Sequence, residues 1–162
     1  IEVKNIPVDL INLKILEKST ILIFTGFQRK ASLVEKKKIQ SINKKEHLYN
    51  AINSITSEAE KILDKSKDII KDYSQLMKEY WNLKKNLSKN VSNREIDNLM
   101  NYCLKSGAEG TKLLGAGNGG FLMCLVKKKN QKKFFSKLKS KLIVPIKFDN
   151  LGSQLIYYSA NE

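Results

Sequence analysis

Residues 110–126 have the sequence GTKLLGAGNGGFLMCLV. Four of the chain's eight glycines lie in residues 115–120, which we call the glycine loop. Glycine loses more backbone entropy on folding than any other residue, so such a cluster is typical of a backbone that needs positive φ or close approach to another group. The flanking runs 111–114 and 121–126 are short and apolar, and they predict two strands joined by this loop.

The glycine loop fits the pattern G-x-G-x-x-G through Gly115, Gly117 and Gly120. In a dinucleotide-binding fold that pattern opens a helix, and an acidic residue follows about 20 positions later. Here a strand-like run follows instead, and then Lys127–Lys129. A Walker A loop is excluded as well, because Phe121 stands where its lysine should be. The loop therefore predicts neither of these two nucleotide sites.

The first strand is predicted at Thr20–Thr25, a β-branched and aromatic run that ends at Gly26. Ahead of it, Ile1–Ile11 mixes apolar and polar residues around Pro7, which a central strand does not easily accept. We expect Ile1–Ile11 to form an edge strand or a connector.

Two helices are predicted in the middle of the chain. Between Lys45 and Leu87, apolar residues recur at spacings of three and four, which is a helical period. The polar stretch Asp64–Lys67 interrupts the pattern, so we expect two helices packed on the sheet. A coiled coil that recruits a partner is the alternative, but two short, interrupted seams fit packing within one domain better.

A third helix is expected from Ser92, because Ser92 and Glu95 have the S-x-x-E spacing of a capping box. Gly107 is a suitable left-handed residue to end it. Its apolar face would consist of Ile96, Leu99, Met100, Cys103 and Leu104. Arg94, in the first turn of this helix, is expected to be structural.

The last part of the chain is predicted to contain one helix and two strands. Lys127–Lys133 has the composition of a solvated connection, and a helix is expected from about Asn130 to Ser140. Leu142–Phe148 and Gln154–Tyr158 resemble strands joined by a turn at Asp149–Gly152. Together these elements predict an α+β fold, an antiparallel sheet with helices on one face.

A net charge of +14 ordinarily indicates a nucleic acid or an anionic membrane as the partner. Of the 30 basic residues, however, only Arg29 and Arg94 are arginine, and the abundance of Lys, Ile and Asn is expected from A/T-rich codons. Nucleic-acid surfaces favour arginine, which makes paired hydrogen bonds to phosphate and guanine. We therefore do not expect a nucleic-acid partner.

The length of 162 residues suggests one domain, residues 1–162, with a real core. No apolar run approaches the roughly 20 residues of a transmembrane helix, and no secretory segment is evident, so a soluble cytoplasmic protein without a membrane partner is expected. Cys103 and Cys124 lack metal-site spacing and are expected to be reduced core thiols. The single histidine, His47, offers neither a metal cluster nor imidazole catalysis.

The segment KLLGAGNGGF, residues 112–121, resembles the third conserved motif of the GHMP kinases, the galactokinase, homoserine, mevalonate and phosphomevalonate kinase superfamily. Within it, the chain is most similar to bacterial D-glycero-D-manno-heptose 7-phosphate kinases, and next to fucokinase-type sugar kinases. The resemblance extends from Ile1 to about Ser153, with one departure, Asn118 in place of the usual glycine. The resemblance also rests on three further motifs: Phe24–Gly26 with Arg29 and Ala31, Trp81–Lys85, and Ser92–Asp97.

This resemblance implies a ferredoxin-like C-terminal domain of a longer enzyme. The family's ATP loop, P-x-x-x-G-L-x-S-S-A, and its catalytic acid belong to an N-terminal domain, and no part of this sequence matches that loop. We therefore expect no catalytic residue in this chain and no activity from it alone. The full-length enzyme is expected to use ATP and Mg²⁺ to phosphorylate the anomeric hydroxyl of the heptose 7-phosphate, with this domain on the acceptor side of the cleft.

The resemblance also implies the site residues. It places the glycine loop against the nucleotide phosphates and the substrate, at positions Gly115, Ala116, Gly117, Asn118, Gly119 and Gly120. Arg29, beside Thr25 and Gly26, is expected to bind the acceptor phosphate, since a guanidinium group binds phosphate bidentately. Lys112 is a further candidate for contact with phosphate.

Alternatives remain open for each of these residues and for the function. The glycine loop could be a hairpin needed only for folding, Arg29 a surface or ion-paired arginine, and Lys112 a solvated or stem-packed lysine. A fucokinase-type or other small-molecule kinase keeps the fold with another acceptor. A basic nucleic-acid-binding module is the alternative from another class, and its affinity would fall steeply with salt.

Overall fold

The structure is a computed structural model that describes residues 6–27, 45–87, 91–115, 119–149, 151, 154 and 156–157. In chain order its elements are α1 (Leu10–Ser19), β1 (Thr20–Phe24), α2 (Glu46–Lys65), α3 (Ile69–Leu87), α4 (Arg94–Ser106), β2 (Gly110–Leu113), β3 (Phe121–Leu125), α5 (Lys128–Lys137) and β4 (Ile143–Val144).

The four strands form one antiparallel sheet in the order β2-β3-β1-β4. Leu113 at the end of β2 pairs with Leu122, and Phe24 at the end of β1 pairs with Phe121. The glycine loop and the segment that follows β1 therefore leave the sheet at the same end of the strands. The α+β class and the antiparallel sheet are confirmed.

Alternate residues of β3 contribute to two apolar clusters, as the two-residue period of a strand requires. Leu122 and Cys124 pack in one cluster with side chains of α4 and α5, such as Phe134. Met123 and Leu125 belong to the other, with side chains of α1 and α3. Helical packing thus extends to both faces of the sheet, and the prediction of helices on one face needs correction. Each fully buried large side chain contributes about 1.5–3 kcal/mol.

The two predicted central helices are confirmed. They are α2 and α3, and the chain between them is the interruption expected near Asp64–Lys67. α3 packs against α2 and β2, whereas α2 packs mainly against α3 and α1 rather than on the sheet. No residue of α2 is buried, since it lies on the outside of this helical layer. Packing within the domain therefore accounts for both apolar seams.

The capping box predicted at the start of α4 is wrong. The side chain of Asn93 accepts a hydrogen bond of 2.8 Å from Ile96 N and so caps the helix, which begins at Arg94. Ser92 Oγ instead donates to Asp97 Oδ1 at 2.8 Å. Asparagine is as good an N-cap as serine, so the competing Asn93 shifted the helix start by one residue. The left-handed end at Gly107 is confirmed, with φ 118°. The predicted burial of Cys103 and Cys124 is confirmed as well.

The ends of the chain differ more from the sequence predictions. Instead of an edge strand or connector reaching Ile11, helix α1 starts at Leu10, where the Asp9 side chain accepts a hydrogen bond of 2.8 Å from Asn12 N. The strand predicted at Leu142–Phe148 is reduced to β4, because Pro145 has no N–H to donate to a neighbouring strand.

Two further C-terminal predictions need correction. Helix α5 begins at Lys128, so the connection predicted over Lys127–Lys133 is largely helical. The helix ends at Lys137, and the backbone N–H of Leu138 caps its last turn. Of the strand predicted at Gln154–Tyr158, the described residues belong to no strand. The turn at Asp149–Gly152 lies partly outside the described residues.

Candidate functional site

The segment after β1 is fastened to the end of the glycine loop. Thr25 Oγ1 and Thr25 N both donate hydrogen bonds to the carbonyl oxygen of Gly120, at 2.8 and 2.9 Å. In return, Gly120 N donates to Phe27 O at 2.8 Å. Phe27 N also donates to Thr25 Oγ1 at 3.3 Å, so the buried hydroxyl has two backbone partners. Two sequence motifs almost a hundred residues apart thus form one structural unit.

Gly119 explains why this contact needs a glycine. A Cβ atom at this position would lie 2.7 Å from Phe27 O, closer than real Cβ atoms approach other heavy atoms. It would also lie 3.1 Å from Phe27 C, an unusually tight contact. At the other end of the loop, Gly115 has φ +76°, a left-handed conformation that side chains rarely adopt. The described ends of the loop therefore meet both conditions that the glycine cluster predicted.

Lys112 carries an ammonium group next to this loop. Its Nζ lies 4.3 Å from the centroid of the Tyr80 ring, a cation–π distance. Burial lowers the pKa of Lys112. Among the described residues Nζ has no hydrogen bond and no ion pair. A partly desolvated ammonium group of this kind is suited to binding an anion.

Lys84 is a second cation at the site, and the sequence interpretation missed its role. It is only 7% exposed, and Nζ donates a hydrogen bond of 3.0 Å to the carbonyl oxygen of Gly115. It also lies 5.6 Å from the centroid of the Tyr80 ring, so Lys84 and Lys112 share one aromatic neighbour. The available signal was a lysine within the apolar stripe of α3, between Trp81 and Leu87.

The structure brings together several of the predicted site residues. Thr25 binds Gly120, and Gly26 lies between Thr25 and Phe27, the residue that faces Gly119. Lys112 is linked to Gly115 through the Tyr80 ring and Lys84. The hydroxyl of Thr25 is occupied by backbone groups, so its role towards substrate stays a prediction. Four predicted site residues lie outside the described residues: Arg29, Ala116, Gly117 and Asn118.

A separate cavity of about 320 Å³ lies between α3, α4 and the start of β2. Trp81, Met100 and Leu104 line its apolar part, and Lys78 and Asp97 are among its polar lining residues. None of the predicted site residues that the structure describes lines it. The candidate site is therefore the edge of the sheet at the glycine loop, not this cavity.

The described part of the chain shows no cluster of metal-ligating side chains. Within residues 6–27, 45–87, 91–115 and 119–149, no group of three or more His, Cys, Asp or Glu side chains is placed to hold an ion. We therefore assign no Mg²⁺ ligand to these residues. Among the helices described, none combines the length and apolar character needed to cross a membrane.

Residues 59–144, more than half of the chain, match the family described as GHMP kinases C terminal. Over 114 residues the chain is 32% identical to the D-glycero-alpha-D-manno-heptose 7-phosphate kinase of Campylobacter jejuni, a match that covers 68% of this chain and 33% of that protein.

Two solved mevalonate kinases are also similar. The enzyme of L. major, in complex with R-mevalonate, has a TM-score of 0.64 and 27% identity over 75% of this chain and 37% of its own. The enzyme of Methanococcus jannaschii has a TM-score of 0.64 and 25% identity over 81% of this chain and 40% of its own. The chain thus spans about a third to two fifths of the length of these relatives.

Proposed function

Because this chain belongs to the family of GHMP kinase C-terminal domains, we propose that it forms the acceptor side of the cleft in an ATP-dependent sugar kinase. The proposed acceptor is D-glycero-D-manno-heptose 7-phosphate, and the proposed product is the 1,7-bisphosphate. Identity to the heptose 7-phosphate kinase of Campylobacter jejuni supports this choice of acceptor. We place the enzyme in the cytoplasm, where thiols such as Cys103 and Cys124 stay reduced.

The single observation that carries the proposal is the hydrogen-bonded unit of Thr25 and Gly120 at one end of the glycine loop. At the other end Lys84 binds Gly115 O, and it shares the Tyr80 ring with Lys112. Glycine backbone and a desolvated ammonium group are both suited to a phosphorylated ligand. Phosphoryl transfer depends mainly on positioning the reactants and on neutralising charge on the phosphoryl oxygens. A domain can contribute to both without a nucleophile or a general base of its own.

In the proposed reaction the sugar oxygen forms a bond to the γ-phosphorus of ATP, and the bond from that phosphorus to the departing ADP oxygen breaks. The hydroxyl proton passes to a base, which we assign, with the ATP loop, to an N-terminal domain outside this chain. Lys112 and Arg29 bind the acceptor phosphate, and the glycine loop allows the acceptor to approach closely. Since no metal ligands are assigned here, no step is attributed to Mg²⁺ on these residues.

A panel of acceptors tests the proposal. The purified full-length protein is given ATP and Mg²⁺ with heptose 7-phosphate, the unphosphorylated heptose, fucose or mevalonate, and ADP release is followed with product identification. We expect heptose 7-phosphate to have the highest kcat/KM. A higher kcat/KM for fucose or mevalonate would mean that this compound, not heptose 7-phosphate, is the acceptor. No transfer to any of the four compounds would contradict the proposed function.

A further inference from the structure

Lys84 is a buried lysine, and burial of an ammonium group is costly unless it is paired. It is 7% exposed, whereas the next residue, Lys85, is exposed. The residues before and after it in the same stripe, Trp81 and Leu87, are apolar and buried. A methionine would fill this position at no electrostatic cost. The lysine therefore needs an explanation beyond packing.

The contact of Lys84 with the glycine loop supplies one. Its acceptor, Gly115 O, belongs to the residue at which the chain turns away from the sheet with positive φ. Leu114 N, immediately before it, donates to Phe121 O at 2.9 Å and closes the β2–β3 ladder. Lys84 thus holds the loop at its first residue, beyond the last hydrogen bond of the ladder.

The opposite end of the loop has a different attachment. Gly120 is held by Thr25 and Phe27, which follow β1. The two attachments come from different elements, α3 and the segment after β1. The described ends of the loop, Gly115 and Gly120, are therefore each held by a separate element. Fixed ends are suited to a backbone that must present its N–H groups in one arrangement.

We propose that Lys84 is a positioning residue that fixes the first turn of the glycine loop and thereby presents the loop and Lys112 to the acceptor phosphate. Tyr80 supports this arrangement, because its ring lies near both ammonium groups and holds them in place by cation–π attraction. The kinetic part of this inference rests on the proposed function. The structural part, that Lys84 orders the loop, does not depend on which reaction the protein catalyses.

Hydrogen–deuterium exchange of the full-length protein tests the structural part. Lys84→Met removes the donor but keeps the length and apolar stem, and Lys85→Met is the matched control on the exposed neighbour. In Lys84→Met we expect peptides covering residues 112–122 to exchange about tenfold faster, a loss of one net hydrogen bond, with α5 peptides unchanged. Lys85→Met should match the wild type throughout.

Wild-type exchange in residues 112–122 of Lys84→Met would overturn the inference. So would an equal acceleration in α5, because that pattern means general destabilisation rather than a loosened loop. If Lys84→Met does not fold, Lys84→Gln replaces it, since the shorter amide also loses the contact with Gly115 but tolerates water.

Steady-state kinetics test the second part. Lys84→Met should lower kcat/KM for the sugar phosphate by up to about 100-fold, the loss that a misplacement near 1 Å can cause. Lys85→Met should lower it by less than about twofold. An unchanged kcat/KM would contradict the positioning role. If the wild-type protein phosphorylates no acceptor, the proposed function fails, while the exchange experiment still decides whether Lys84 orders the loop.

Discussion

The hydroxyl of Thr25 donates a hydrogen bond of 2.8 Å to the carbonyl oxygen of Gly120, although the two residues are 95 positions apart. The same oxygen accepts from Thr25 N, and Thr25 is buried. This relationship joins the end of β1 to the end of the glycine loop. The pairing of β1 with β3 therefore brings the parts of the site together. A substitution at Thr25 should weaken the attachment of the glycine loop.

Thr25→Val removes the hydroxyl and keeps the shape of the side chain. The hydrogen bond to Gly120 O from the hydroxyl and the bond accepted from Phe27 N are both lost. We expect the free energy of unfolding to fall by about 1–3 kcal/mol, measured by urea denaturation. Thr25→Ser, which keeps the hydroxyl, should lose less, and equal losses in the two variants would contradict this account of the contact.

Gly119→Ala introduces a Cβ atom 2.7 Å from Phe27 O. Because the opposing atoms belong to the backbone, one of the two segments must move. Overpacking of this kind costs about 1–3 kcal/mol, and activity should fall with it. Thermal unfolding and a kinetic assay measure the two effects.

The matched control for Gly119→Ala is Gly115→Asn. Its Cβ would meet nothing within 4 Å, and asparagine tolerates the left-handed conformation at φ +76° better than most residues. We expect a smaller loss of stability than for Gly119→Ala. A larger loss at Gly115 would show that close approach at Gly119 is not the dominant constraint.

The lowered pKa of Lys112 predicts a pH dependence of stability. Burial depresses the pKa in the folded state below its ordinary value of 10.5. Between the two pKa values the unfolded chain binds more protons, so stability rises with pH in that window. In urea unfolding from pH 8 to 10.5, the wild type should therefore gain stability relative to Lys112→Met. A difference that is constant or grows in the opposite direction would contradict burial as the cause.

Asn93→Ala tests the corrected start of α4. The variant loses the side-chain acceptor for Ile96 N, and loss of an N-cap costs about 0.5–2 kcal/mol. Glu95→Ala serves as the control, because Glu95 is exposed and the structure gives it no capping partner among the described residues. If Asn93→Ala and Glu95→Ala lower the free energy of unfolding by comparable amounts in denaturant, the capping box of Ser92 and Glu95 would be favoured instead.

The sequence predicted the central elements well, because their signals are local. The β-branched run at Thr20–Thr25 and the helical periods on either side of residues 66–68 correspond closely to β1, α2 and α3. Helix α1 was missed because its apolar residues do not mark a buried face. Leu10 and Ile11 are exposed, and Leu16 is its buried hydrophobic residue. The sequence feature that indicates this helix is Asp9, whose side chain caps its first turn.

The candidate site was predictable only in part. The need for glycine was visible in the sequence, but the partner that requires it, Phe27 O at Gly119, depends on the pairing of β1 with β3. The contact of Lys84 with Gly115 depends on the packing of α3 against β2, which no local pattern specifies. Tertiary placement therefore supplied the groups that hold the loop, whereas the sequence indicated the loop itself.

The most direct test of the acceptor-side assignment is the KM of each substrate for Lys112→Met in the full-length protein, with the exposed Lys129→Met as the control. Loss of a charge-assisted contact worth about 1.5–3 kcal/mol should raise the KM for heptose 7-phosphate by about 10–100-fold, with the KM for ATP within about twofold of the wild type. An unchanged KM for the sugar phosphate, or an increase confined to ATP, would contradict the account.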